Sequence, residues 1–205
     1  MMKNVLQRLI LFVGVCACIL PVFAQQLTAR QVLDKTATVM GNRGGASASF
    51  VLKDPKLGKS TGTLQIKGDK FFAKTPQAMI WFNGKTQWSY LANTNEVSVT
   101  NPTESQRMAM NPYTFINMYK QGYDLSMKIV GSNYQVVLKA QGPKSIPEMH
   151  ITVNKRTFVP QDIKIKRNGQ WLTIAISKFM RRNFSDAVFS FNAKDFPSAE
   201  VIDLR

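Results

Sequence analysis

The chain has 205 residues, with 27 lysines and arginines against 12 aspartates and glutamates, a formal charge of +15. Two cysteines and a single histidine exclude a disulfide framework and the usual cysteine–histidine zinc sites. A hydrophobic share of 44% is enough for one domain with a sizeable core. The first segment is read apart from the fold. Lys3 and Arg8 supply a basic start, and Leu9 to Leu20 is an uncharged apolar run shorter than a membrane span. Val22-Phe23-Ala24 then places small residues before a cleavage point. Residues 1–24 are expected to be a secretory signal peptide, and 25–205 a single domain delivered to the periplasm. Lipid attachment at Cys18 is the rival reading. It fits less well, because Cys16 precedes it and the apolar run to Phe23 follows it. Both cysteines lie in this leader, so the exported part carries no thiol nucleophile and must be held by burial alone. Nucleic acid is excluded as a partner for an exported basic protein. Anionic headgroups or an acidic protein face suit the charge better.

After the leader, Thr28-Ala29-Arg30-Gln31 forms a capping box. Val32, Leu33, Thr36, Val39 and Met40 then recur at helical spacing, with Gly41 placed to end the helix. Strands are expected at Ala46 to Leu52, Gly62 to Lys67 and Phe71 to Lys74. Asn83-Gly84 separates two aromatic runs and predicts a two-residue type I′ hairpin, and Glu96 to Thr100 continues the meander. Asn111-Pro112 reads as the N-cap and first residue of a second helix running to Lys120, in a segment rich in methionine and aromatic residues. Alternating runs then follow around Leu125, Tyr134, Met149, Ile163 and Leu172, with Asn168-Gly169 as a second hairpin turn. The total is about ten strands and two helices, the spacing of an antiparallel sandwich or barrel.

Chemical motifs are scarce. His150 falls in a strand-like run, and no Gly-x-Ser-x-Gly elbow or ligand-spaced carboxylate pair accompanies it. Gly44-Gly45 lacks the strand–loop–helix setting of a phosphate loop. No catalysis, metal or cofactor is therefore expected. What the chain does hold is adaptable apolar surface. Eight of the ten methionines lie beyond the leader, and Met108, Met110 and Met118 surround the second helix, where a lid would sit.

Several pieces occur together and in order. They are the N-terminal amphipathic helix, Gly62-Thr63-Leu64-Gln65-Ile66-Lys67, the hairpin Asn83-Gly84-Lys85-Thr86-Gln87-Trp88-Ser89-Tyr90, the proline-started helix at Asn111-Pro112, and Phe189-Ser190-Phe191. This order and spacing resembles the periplasmic lipoprotein carrier family LolA, in a divergent, Bacteroidetes-type form. Proteobacterial members commonly carry an arginine-proline after the Gly-x-Leu strand, and that arginine helps hold the lid closed. Here Gly68-Asp69 stand in its place.

The resemblance implies a mainly β fold with an α lid: a curved, incomplete antiparallel half-barrel of about ten to eleven strands, covered by helices. Its cavity would shield lipoprotein acyl chains between an inner-membrane ABC transporter and an outer-membrane acceptor, with transient membrane contact and the chain acting as a monomer. Candidate lipid-binding residues are Leu64, Ile66, Phe72, Met79, Trp81, Trp88 and Tyr90 on the strands, and Met110, Phe115, Ile116 and Met118 on the lid helix. Which strand face looks inward is open at this level. A lipid- or lipoprotein-sensing envelope-stress regulator on the same fold is the nearest alternative. A secreted enzyme acting on lipid or glycan would need an acid or hydroxyl cluster at the cavity floor.

Overall fold

The computed structural model describes residues 26–41, 43–56, 58–103, 106 and 118–205. The leader lies outside this set, as does Asn111-Pro112 with most of the expected second helix. Of that helix, Met118–Lys120 is described, and it forms a single 3₁₀ turn.

Helix α1 (Ala29–Met40) begins as its sequence requires. The Gln31 amide donates to Thr28 Oγ1 at 3.2 Å, and the Thr28 amide donates to Gln31 Oε1 at 2.8 Å. Two otherwise unpaired donors at the helix start are thereby satisfied. Val32, Leu33, Thr36, Ala37 and Met40 form the buried stripe. Thr36 keeps its buried hydroxyl paired by donating to the Val32 carbonyl at 2.9 Å. Gly41 ends the helix through its amide on Ala37 O, with φ −81 and so without the left-handed conformation.

Among the described residues, twelve strands form one sheet. They are β1 (Ala46–Asp54), β2 (Gly58–Lys67), β3 (Lys70–Lys74), β4 (Ala78–Phe82), β5 (Gln87–Leu91), β6 (Glu96–Thr100), β7 (Tyr123–Val130), β8 (Asn133–Ala140), β9 (Glu148–Asn154), β10 (Pro160–Arg167), β11 (Gln170–Arg181) and β12 (Glu200–Asp203). Their order is β12-β6-β5-β4-β3-β2-β1-β11-β10-β9-β8-β7, so the sheet is open, with β12 and β7 at its edges. Every pairing is antiparallel except β12 on β6. The count exceeds the expected ten to eleven because of β12. Four residues without clear alternation give little local signal, and a parallel partner reached by a long connection leaves no hairpin signature.

The two Asn-Gly turns differ. Asn168 and Gly169 have φ 48 and 75, and Arg167 pairs with Gln170, the two-residue type I′ loop expected. At the first turn Phe82 pairs with Gln87, so the loop has four residues rather than two. Gly84 alone adopts positive φ there. The Asn83 side chain explains the difference: its Oδ1 accepts from the Lys85 and Thr86 amides at 3.0 and 2.9 Å, which builds a local turn of its own.

One face of the sheet, called inner below, carries α1. The N-terminal half of the helix sends Val32 and Leu33 into a cluster with Val136, Leu138, Met149, Ile151 and Ile165 from β8 to β10. Tyr119 is buried in the same cluster, and its hydroxyl donates to Asp34 of α1. The C-terminal half sends Ala37 and Met40 into a second cluster with Ala46, Ile66, Phe71 and Phe82.

The outer face is covered at the β3–β5 end by the chain after β11. Phe191 and Phe196 pack edge-on against Trp81, with ring centroids 5.6 and 5.7 Å away. This segment is anchored at its start. Lys67 Nζ donates to Phe184 O at 2.8 Å and to Asp186 Oδ1 at 2.9 Å, and Lys70 Nζ reaches Asp186 Oδ2 at 2.7 Å.

Leu33 is fully buried between helix and sheet. Leu33→Ala is expected to lower the unfolding free energy by about 2–5 kcal/mol, read from the midpoint of a urea titration. Lys70, and then Lys67, hold the Asp186 carboxyl below its ordinary value of 3.8. The anchor is therefore fully present above that value and lost as pH falls through the lower folded one. Hydrogen exchange in residues 184–191, corrected for intrinsic rates, should accelerate over that acidic window. Asp186→Asn should show fast exchange at neutral pH as well.

Candidate functional site

Between the two clusters the described residues leave the inner face hollow. A cavity of about 320 Å³ lies over β1, β2, β10 and β11 and is closed at one side by Met40 of α1. Its position follows from side-chain size. The middle of the sheet is β1, which opens with Ala46, Ser47 and Ala48 and so raises little bulk beneath the helix end. Larger apolar groups line the remainder. The register places Ala48 opposite Leu64, and Ala46 opposite Ile66. On the other side Phe50 meets Ile176, and Leu52 meets Ile174, which in turn meets Ile163.

Two backbone features shape this floor. A bulge in the β1–β11 pairing lies between Ser47 and Ser49, facing Ser177 to Met180, where Lys178 has φ 51. One extra residue reverses the alternation of β11, so Phe179 joins Ile174 and Ile176 on the inner face. The second feature is Gly62. A Cβ there would sit 2.5 Å from Phe50 Cζ and 2.4 Å from the Lys74 carbonyl. The glycine lets the Phe50 ring lie across β2 and wall the cavity.

The expected lipid-binding residues divide by face. Leu64 and Ile66 line the cavity. Phe72, Met79, Trp81, Trp88 and Tyr90 all project from the opposite face, because Phe72 pairs with Trp81, Trp81 with Trp88 and Met79 with Tyr90. There Trp81 and Tyr90, with Phe72 stacked on Trp81, form an aromatic layer with Phe191 and Phe196 of the C-terminal segment. Phe72 stacks on Trp81 at 5.1 Å, and Tyr90 meets Phe196 at 4.8 Å. Met118 is half-buried against the first cluster. Met110, Phe115 and Ile116 lie outside the described residues. The reading from sequence missed Phe50, Leu52, Leu172, Ile174, Ile176 and Phe179. Their alternation was legible, but nothing local marked their face as the one beneath α1.

Among the described residues the cavity is lined by one charged side chain, Arg167 at the end of β10. His150 is elsewhere, on the outer face of β9. Its Nε2 is 2.8 Å from Glu148 Oε1, and its ring lies 4.8 Å from that of Trp171. The hydrogen bond from His150, with Lys166 and Lys139 nearby, holds the Glu148 carboxyl below its usual range. This is a surface ion-pair network on the far side of the sheet from the cavity. Among the described residues no helix is long and apolar enough to cross a membrane.

The family model described as outer membrane lipoprotein carrier protein LolA matches residues 20–170. No curated protein matches the sequence. Among solved structures, an uncharacterized conserved protein from Thermus thermophilus superposes with a TM-score of 0.59 at 14% identity. That alignment covers 85% of this chain and 98% of the other, and shows a shared fold. A LolA superfamily protein from Nitrosomonas europaea aligns with a TM-score of 0.45 at 10% identity, over 81% and 99% of the two chains. The MucA/MucB complex of Pseudomonas aeruginosa contributes a chain aligned with a TM-score of 0.41 at 13% identity, over 81% and 62%.

Gly62→Ala should be costly, since the new methyl group meets a backbone carbonyl as well as the Phe50 ring. A loss of about 1–3 kcal/mol is expected by urea titration, with weaker binding of an apolar dye such as ANS. Unchanged stability and dye binding would show that the Phe50 wall is not seated by this glycine.

Proposed function

Because the chain belongs to the outer membrane lipoprotein carrier family, LolA, we propose that it is a periplasmic carrier whose cavity shields the acyl chains of lipoproteins between the inner and outer membranes. The observation that supports this most is the cavity itself: about 320 Å³, walled by aliphatic and aromatic side chains on the inner face of an open sheet. Apolar clefts of this size with few polar groups suit small greasy ligands.

The magnitudes agree with a carrier. One water occupies about 30 Å³ of liquid, and a methylene group is of similar bulk, so the cavity takes about ten carbons of one chain. Each buried methylene contributes about 0.8 kcal/mol, or about 8 kcal/mol for ten, before the costs of association. That is enough to hold a chain and well below the ceiling of non-covalent affinity, so the chain can be handed on. A membrane buries the whole of a longer chain and competes well with such a site. Binding and release need no covalent step in this scheme, and cargo with more than one chain requires the cavity to widen.

In this reading an inner-membrane ABC transporter loads the carrier, and an outer-membrane acceptor unloads it. The test is purification from the native periplasm, followed by mass spectrometry of what accompanies the protein. Acylated lipoproteins are expected, whereas a water-soluble ligand alone would overturn the proposal. Depletion should also leave outer-membrane lipoproteins at the inner membrane. Correct lipoprotein placement with altered stress-gene expression would point to a regulator instead.

A further inference from the structure

Arg167 sits where an apolar floor ends. It is the last residue of β10, two positions beyond Ile165 and four beyond Ile163, and it shares their inner face. The type I′ turn at Asn168-Gly169 follows at once and fixes the strand end, with Arg167 paired to Gln170. The side chain lines the cavity and is exposed to solvent as a residue. It forms no hydrogen bond or ion pair with any described residue. By strand alternation Asp54, at the end of β1, is an acid on the same face and at the same end of the sheet. Its Oδ1 accepts from the Lys56 amide at 2.7 Å.

We propose that Arg167 selects the polar end of the ligand: the cavity takes an acyl chain that carries an anionic headgroup, carboxylate or phosphate, which the guanidinium binds. The inference rests on the reading of the cavity as an acyl-chain site given above. It goes beyond lipoprotein cargo, whose chains end in uncharged ester and amide links, to a second ligand class, a fatty acid or a phospholipid-like molecule. The chemistry is that of a planar fork of donors. A guanidinium binds carboxylate and phosphate oxygens through two parallel, charge-assisted hydrogen bonds. At the rim of an apolar hollow such a pair is less screened than on an open surface. A neutral headgroup gains contact with the aliphatic stem of the side chain alone. Position matters as well as charge. A chain laid along Ile174, Ile163 and Leu172 brings its head to the Arg167 end of the cavity, so the cation sets the direction in which the chain lies.

The test compares a charged and an uncharged form of one chain. A fluorescent polyene fatty acid, cis-parinaric acid, and its methyl ester are titrated into the purified, delipidated protein at pH 8 and low salt. The wild type is expected to bind the acid about tenfold more tightly than the ester. Arg167→Gln should bind acid and ester alike, and Arg167→Lys should keep part of the preference. Thermal melting confirms that the variants fold, as expected for an exposed strand end. Displacement of bound acid by dodecanoate, dodecyl phosphate and dodecanol identifies the headgroup. A stronger effect of dodecanoate indicates a fatty-acid source, and a stronger effect of dodecyl phosphate a phospholipid-like one. Equal displacement by dodecanol overturns the proposal. Equal wild-type affinity for acid and ester, or a preference that survives Arg167→Gln, overturns it while leaving the acyl-chain reading intact. Failure of both probes to bind the wild type removes both.

Discussion

The described structure depends on a mismatch between helix α1 and the sheet. Twelve strands at about 4.8 Å spacing make a surface about 55 Å across, whereas the twelve residues of α1 span about 18 Å. The helix meets this by splitting its buried stripe. Val32 and Leu33 close one cluster, and Ala37 and Met40 close another. Between them lies β1, with Ala46, Ser47 and Ala48 where larger side chains would have filled the gap. The cavity is therefore the place that neither end of the helix fills. Its apolar character follows from the strands around it, whose alternate residues would otherwise have formed continuous core.

The other face of the same sheet has a different solution. In its β3–β5 portion Trp81, on which Phe72 stacks, is met by Phe191 and Phe196 from the C-terminal segment, and Tyr90 by Phe196; Lys67 and Lys70 fasten that segment through Asp186. The tryptophan-rich hairpin serves this outer layer. Further along the outer face, Lys53 stands directly opposite Lys59, and Lys164 lies two strands away across Thr173. Like charges placed this closely weaken strand pairing. Part of the positive charge of the chain is thus gathered on the face turned away from the cavity, while Arg167 brings a cation to the cavity side.

Local chemistry accounts for much of what the sequence predicts correctly. Thr28 and Gln31 cap the helix through contacts within one turn. Asn168-Gly169 forms its two-residue loop because only two residues' backbone angles need to be satisfied. Asn83-Gly84 shows the limit of such rules, since the same dipeptide yields a longer loop once the asparagine side chain captures two amides. The short strand β12 carries too little pattern to be read before its partner β6 is in place.

The sequence alone determined that this is a mainly antiparallel chain with family-specific motifs, and which residues alternate together on each strand. It did so because periodicity, caps and turns act over a few residues. The tertiary structure decided which of the two alternating sets faces inward. That choice depends on where α1 docks, on the small residues at the start of β1, and on the Lys178 bulge that turns Phe179 to the inner side. Leu64 and Trp88 are equally apolar to a sequence pattern, yet one lines the cavity and the other lies on the far face, because burial is shared between elements distant in the chain.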